Sequence, residues 1–325
     1  MKRFMNYFLA AVLCFSSLPV ALLTNAPETV YANSHWIASS EKNLKREIYK
    51  SLANFETSFS INHVGDVNNL KTQLNSIMDE FRKTKSYVYE NISKWEASYR
   101  HVGNTATIHF TITYLTSKEQ EDYVSAQAKK LLPTIVSASA SDFEKVKAVH
   151  DYIIVNSSYS SNTLNSQYIT YTLLTENEGV CQAYALLMYK MLEELNVEVK
   201  YVKGHAGGER HAWVLAKVEG AWYHVDVTWD DPVPNRENEV RYKYFLLSDS
   251  QMATTHSWSN AEYPPATKEN FAYLQVVDSA FTKGQTLYYK NIKDSEFYQM
   301  DLKTLKISKI TASVYNQEKK SLSSQ

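Results

Sequence analysis

Gly179-Val180-Cys181-Gln182-Ala183-Tyr184-Ala185-Leu186-Leu187 opens an apolar, helix-like run on a cysteine, and the reading of that cysteine decides the rest of the chain. The 325 residues contain two cysteines. Cys14 lies in an N-terminal segment that reads as an export signal. Once that segment is removed, Cys181 has no second thiol with which to close an intramolecular disulfide, which makes it a candidate reactive thiol. A helix start supplies backbone N–H groups and the positive end of the macrodipole, and both favour thiolate over thiol. A buried structural cysteine is the competing reading.

The export reading rests on Lys2 and Arg3, the mostly apolar stretch from Phe4 to Leu23, and the small residues of Val30-Tyr31-Ala32 at the usual cleavage positions. It places a signal peptide over residues 1–32 and the protein outside the cytoplasm, secreted or associated with the cell envelope. An uncleaved anchor competes, because the apolar stretch approaches membrane-spanning length, but Asn6, Ser16, Ser17 and Pro19 interrupt it. Leu13 stands before Cys14 where a lipoprotein signal has a small residue. The formal net charge of −1 gives no electrostatic case for nucleic acid or, after signal cleavage, for a membrane surface. The 24 tyrosines fit strand-rich structure.

Outward from Cys181 the chain divides into three parts. Residues 33–116 read as a small α+β unit. It has helices over 41–54 and 67–83, the second with Leu70, Leu74, Ile77, Met78 and Phe81 at helical spacing. An alternating stretch over 95–116 is folded at Gly103-Asn104. No chemistry is visible in it. Residues 117–265 hold the cysteine. A helix is expected over 119–136, and the capping-box pattern Ser141 to Glu144 opens another that runs to about Asn156 with Val146, Val149 and Ile153 buried. The polar stretch 157–178 reads as a long loop, and long loops inside compact domains tend to be functional. The Cys181 helix continues to Leu195 with Tyr184, Leu187, Met188, Met191, Leu192 and Leu195 on one face, and Asn196 ends it. Strands follow over 197–202, 211–218 and 221–228, with a glycine-rich loop at 204–210 and a turn at Glu219-Gly220. Residues 266–325 form a short C-terminal β segment with runs at 273–276, 287–289 and 297–300. That segment resembles one unit of a propeller-type repeat and is expected to pack on the catalytic part.

A thiol nucleophile needs a base, and the base needs an orienting acceptor. With Glu219-Gly220 as the hairpin turn, Val218 pairs with Ala221 and His211 with Thr228. His211 and Asp226 are then diagonal neighbours on one face. A one-residue slip would separate them. His205 and His224 compete as bases. A zinc site from His205, His211, His224 and Cys181 matches no metal-ligand spacing, so the reading calls for no metal and no cofactor.

Gly179 to Ala185, then His211-Ala212-Trp213, then Trp222-Tyr223-His224-Val225-Asp226-Val227-Thr228-Trp229-Asp230-Asp231-Pro232, resemble the transglutaminase-like (transglutaminase/protease-like) superfamily, in its bacterial exported branch. The resemblance reaches upstream to Lys145 through Tyr152 and downstream to Tyr244 through Asp249, covering roughly residues 140–260. It implies an α+β fold with a papain-like core, a helix-borne cysteine packed on an antiparallel sheet, and a Cys181–His211–Asp226 triad. It implies amide-bond acyl transfer, with the Cys181 N–H and one of Tyr159, Tyr168, Tyr171 or Gln182 as oxyanion donors. Hydrolysis of a peptide or protein substrate, cell-wall peptide included, is the favoured outcome. A protein-crosslinking transglutaminase and a non-catalytic surface-binding module are the alternatives.

Overall fold

The computed structural model describes residues 21–24, 36–38, 40–236 and 238–322. The expected signal peptide lies outside them apart from Ala21–Thr24, which form an edge strand. No helix among the described residues is long and apolar enough to cross a membrane.

The first unit runs β1 (Ala21–Thr24), β2 (Trp36–Ala38), α1 (Glu41–Ala53), β3 (Ser58–Val64), α2 (Leu70–Thr84), α3 (Ser86–Glu90), β4 (Ile92–Val102) and β5 (Thr105–Tyr114). Its sheet has the order β1-β4-β5-β3-β2. The β4–β5 register closes at Val102↔Thr105, so Gly103-Asn104 is the two-residue turn, and Gly103 takes the positive φ of 60° that such a turn needs. Phe59, Ile61, Trp95, Ala97, Ile108 and Phe110 meet Leu44, Ile48, Leu74, Ile77 and Phe81 in one apolar cluster. Alternate residues such as Ser60, Asn62, Thr107 and His109 stay on the polar face of the sheet.

The second unit runs α4 (Lys118–Ile135), α5 (Asp142–Asn156), β6 (Ser158–Tyr159), α6 (Thr170–Glu176), β7 (Glu178–Gly179), α7 (Cys181–Glu194), β8 (Val199–Ala206), β9 (Glu209–Val218), β10 (Ala221–Val225), α8 (Val227–Asp230), β11 (Phe245–Leu247), α9 (Asp249–Met252) and β12 (His256–Trp258). The Ser141–Glu144 capping box forms as its sequence dictates. The sheet has the order β11-β10-β9-β8-β12. Period-two alternation along β9 splits its side chains between two cores. Ala212, Val214, Ala216 and Val218 face α5 and α7, while Trp213 and Leu215 face Val202, Tyr244, Leu247 and Met252.

Three expectations change here. The Cys181 helix has no one-sided stripe: every residue from Cys181 to Tyr189 is buried, because α4, α5 and α6 cover the sides that the sheet leaves. The stretch 157–178 is not wholly loop. It contains α6 and the parallel β6–β7 pair, and α6 reads weakly because Thr170-Tyr171-Thr172-Leu173-Leu174-Thr175 is rich in β-branched and aromatic residues. The glycine loop shrinks to Gly207-Gly208, since β8 extends to Ala206 and β9 begins at Glu209.

The C-terminal part is larger than its sequence suggests. It is a four-stranded antiparallel sheet of β13 (Val277–Lys283), β14 (Thr286–Asn291), β15 (Phe297–Asp301) and β16 (Ile307–Ile310), followed by α10 (Ala312–Leu322). Residues 272–274 form a 3₁₀ turn where a strand is expected. Val277, Ala280, Leu287, Tyr289 and Met300 join the apolar cluster of α5 and α7, and Lys147 Nζ donates to Thr282 Oγ1 at 2.8 Å.

Because α7 is enclosed on every side from Cys181 to Tyr189, its neighbours there cannot collapse into a void. Leu186→Ala should therefore cost about 3–5 kcal/mol, near the top of the range for such truncations, as read by urea unfolding.

Candidate active site

The hairpin register is the one the two-residue turn dictates. Val218 pairs with Ala221, and the ladder continues to Val214↔Val225. The strand then stops earlier than its alternation suggests. β10 ends at Val225, and Asp226 turns the chain into α8 instead of extending to Thr228. A register shift between β10 and β11 marks the same place, and the Asp226 N–H donates to the Tyr244 carbonyl at 3.0 Å. Irregularities of this kind re-aim a side chain beside a site.

Asp226 is fully buried and its carboxylate accepts four hydrogen bonds. Oδ1 takes the Thr228 and Trp229 backbone N–H groups, each at 3.1 Å, as the N-cap of α8. Oδ2 takes His211 Nε2 at 2.7 Å and His256 Nε2 at 2.9 Å. Burial pushes the Asp226 carboxyl up, but the charge and hydrogen bond of His211 and those of His256 outweigh it, and the group sits at about 2. It is a carboxylate throughout the working pH range. His211 Nε2 must then carry the proton of that bond, which leaves Nδ1 as the nitrogen that exchanges protons.

The His211 side chain is 7% exposed against 0% for Asp226, so the imidazole is the part of this pair that reaches the surface. Trp213 stacks near it and Trp229 lies at 6.0 Å between ring centroids. Cys181 is the first residue of α7, and its helix packs against β9, which carries His211, and against α8, which Asp226 caps.

The competing histidines separate cleanly. His224 is buried, accepts from Trp213 Nε1 at Nδ1 (2.9 Å) and bonds Asp249 through Nε2 (2.8 Å). Burial drives it down to about 4 despite Asp249, so it is a neutral structural group with both nitrogens engaged. His205 is exposed on β8. The imagined zinc set is therefore not assembled. The one grouping of suitable ligand types among the described residues is His211, Asp226 and His256, and its 2.7 and 2.9 Å separations are those of proton-filled hydrogen bonds. Of the oxyanion candidates, Gln182 commits its amide to the Glu90 carbonyl at 3.0 Å, tying α7 to α3.

Two further carboxylates of the same segment anchor α8. Asp230 accepts from the Tyr244 N–H and lies 3.2 Å from His150 Nε2, while His150 Nδ1 lies 3.0 Å from Asp151. Burial works against charge on His150, but the bonds to Asp151 and Asp230 outweigh it and raise its pKa. Asp231 accepts from Tyr184 Oη of α7 at 2.7 Å, and burial pushes its carboxyl up to about 6. The turn that presents Asp226 is thus fastened to α5 on one side and to the cysteine helix on the other. His256 and His150 escaped the sequence reading of the site. The signal for His150 was its place in Val149-His150-Asp151-Tyr152, whereas His256 stands in no recognisable pattern.

Residues 129–227 match the transglutaminase-like superfamily, and that span contains Cys181, His211 and Asp226. The chain carries a transglutaminase-like superfamily domain, in a mixed α+β fold. No curated protein matches it. Among solved structures it is similar to a candidate cysteine protease from Cytophaga hutchinsonii, with 21% identity over 42% of this chain and 57% of that one and a TM-score of 0.30. It is also similar to a TGase (15% identity, 60% of this chain, 59% of that one, TM-score 0.31) and to a candidate protease from Parabacteroides distasonis (12%, 51%, 39%, TM-score 0.26). The chain thus spans less than two thirds of each.

Two outcomes follow from the geometry. Alkylation of Cys181 by iodoacetamide at pH 6 should fall at least tenfold in His211→Ala and stay within about twofold in His205→Ala. His224→Ala should lower the melting temperature through the lost Trp213 and Asp249 bonds while leaving alkylation of the folded fraction nearly intact. A larger loss at His224 would contradict the assignment. Second, His150 is easier to protonate folded than unfolded. Its stabilisation is full below the ordinary value of about 6.5 and is lost as pH rises through the raised folded value. His150→Gln should cost about 3 kcal/mol at pH 6, and the gap between the two melting curves should narrow as pH climbs.

Proposed function

We propose that this protein is an exported, cysteine-dependent enzyme that cleaves amide bonds in peptide or protein substrates, working at the cell envelope or outside the cell. The observation that carries the reading is the Asp226–His211 pair. A fully buried carboxylate fixes the tautomer of a histidine on the strand against which the Cys181 helix packs.

In this reaction Cys181 Sγ attacks the amide carbonyl carbon. A C–S bond forms, and the thiol proton passes to His211 Nδ1. As the C–N bond breaks, His211 returns that proton to the leaving amine, giving an acyl-thioester. Water then attacks, His211 takes its proton, and the C–S bond breaks to release a carboxylic acid and the thiol. Asp226 stays ionised while the imidazole gains and loses charge. A primary amine in place of water would make a crosslink instead. Its entry would need a dry, amine-admitting cleft, and hydrolysis needs nothing beyond solvent.

The test is product analysis on a peptide library, with and without an added primary amine. The expected result is cleavage by the natural chain, abolished in Cys181→Ala with the melting temperature unchanged within a few degrees. Turnover retained in Cys181→Ala would sink the reading. Amine adducts exceeding free acids would move it to transamidation.

A further inference from the structure

We infer that His256 is a positioning residue of the same site: it holds the Asp226 carboxylate ionised and aimed at His211 whatever the protonation state of His211. The inference rests on the proposed reaction.

A buried carboxylate is costly unless its lone pairs are satisfied. The α8 backbone satisfies only Oδ1. Oδ2 faces His211, whose charge the reaction makes and removes in every cycle. If His211 were the sole partner of Oδ2, each return of His211 to neutrality would leave a buried anion with one neutral hydrogen bond on that oxygen. When His211 is charged, its Nε2 proton could then pass to the acid, leaving a neutral imidazole whose one proton sits on Nδ1, the wrong tautomer for the next cycle. His256 supplies a second N–H to Oδ2 that takes no part in the cycle.

The structure builds His256 for this one task. Its side chain is 0% exposed, so it meets neither substrate nor solvent. The Asp226 carboxylate can only accept, so Nε2 carries a ring proton toward it, and Nδ1 of the neutral ring accepts from the Thr255 hydroxyl 2.8 Å away. Trp229 at 4.6 Å, Trp213 at 5.1 Å and Tyr244 at 5.5 Å between ring centroids fix its plane. β12 reaches this place because β8 has a glycine opposite it. A Cβ on Gly204 would lie 2.1 Å from the Ser257 carbonyl oxygen. The titratable groups facing Asp226 are His211 from β9 and His256 from β12; α8 presents backbone N–H groups, and His224 is engaged with Asp249 instead. No other side chain donates to the carboxylate among these contacts.

The role predicts a titration that simple packing would not move. In the full chain carrying Cys181→Ala, the Asp226 carboxyl is followed by ¹³C NMR, assigned through Asp226→Asn. It should titrate at about 2. Adding His256→Phe, which keeps the ring volume, should raise that midpoint by at least about one pH unit, a tenfold gain in proton affinity. His256→Gln, whose amide can donate but does not titrate in this range, should return most of it. With Cys181 present, the pH curve of iodoacetamide alkylation should move toward that of an ordinary thiol in His256→Phe and recover in His256→Gln. If His256→Phe proves unfolded by its melting curve, Thr255→Val tests the same bond at Nδ1 and should raise the Asp226 midpoint in the same direction. An unchanged Asp226 midpoint in a folded His256→Phe or Thr255→Val overturns the inference. So does a raised midpoint with an alkylation curve identical to that of the natural chain, when His211→Ala does shift that curve. Failure of the proposed reaction reads differently: His211→Ala would leave alkylation unchanged, and the Asp226 titration would still decide whether His256 holds the carboxylate.

Discussion

One buried carboxylate organises this site. Asp226 ends a strand, caps a helical turn through Oδ1 and receives two imidazoles through Oδ2. Each role constrains the others. The cap bonds fix the side chain against rotation, and the fixed oxygen then dictates where His211 and His256 must stand. An anion with no exposure survives there because four donors converge on it. Unpair any of them and the cost falls on the carboxylate's charge, which is also what the proposed chemistry requires.

The surrounding residues hold that turn still. Asp230 and Asp231 follow Asp226 by four and five positions, and α8 sends them to opposite neighbours. One meets His150 of α5 and the other meets Tyr184 of the cysteine helix. The aspartates of Val225-Asp226-Val227-Thr228-Trp229-Asp230-Asp231 therefore divide the work: one acts on the imidazole, and two set the distance between the turn and the helices. The Cys181 helix is enclosed by α4, α5 and α6 and tied to α3 through Gln182. A thiol on such a helix has little freedom to wander, which suits the proposed reaction, whose rate would depend on placement to a fraction of an ångström.

Much of this was legible from residue order alone. The β9–β10 register follows from a two-residue turn and period-two alternation, and it sets His211 and Asp226 at the same end of the hairpin; the turn into α8 then brings the carboxylate to the imidazole. The capping box of α5 and the Gly103-Asn104 hairpin are local signals that tertiary context did not override. What escaped was non-local. Alternation continues through Asp226 to Thr228, so nothing in the strand pattern reveals that the chain turns into a helix there. His256 is thirty residues from its partner in sequence, and its register on β8 depends on a glycine whose meaning appears only when β12 lies against it. The all-round burial of α7 was hidden because a one-sided apolar stripe and a central helix share the same spacing over four turns. Two of the four C-terminal strands escaped: β13 begins only at Val277, just past the run at 273–276, and Ile307–Ile310 is largely exposed and carries no alternation.

The most direct measurement of the central claim is mass mapping of Cys181 during turnover. The natural chain is mixed with a pool of peptides, quenched in acid within the first turnovers, digested and analysed. The account predicts acyl masses on the peptide containing Cys181, released by hydroxylamine as thioesters are, and absent from His211→Ala. Peptide cleavage at the natural rate with no acyl mass on Cys181 at any quench time would contradict it.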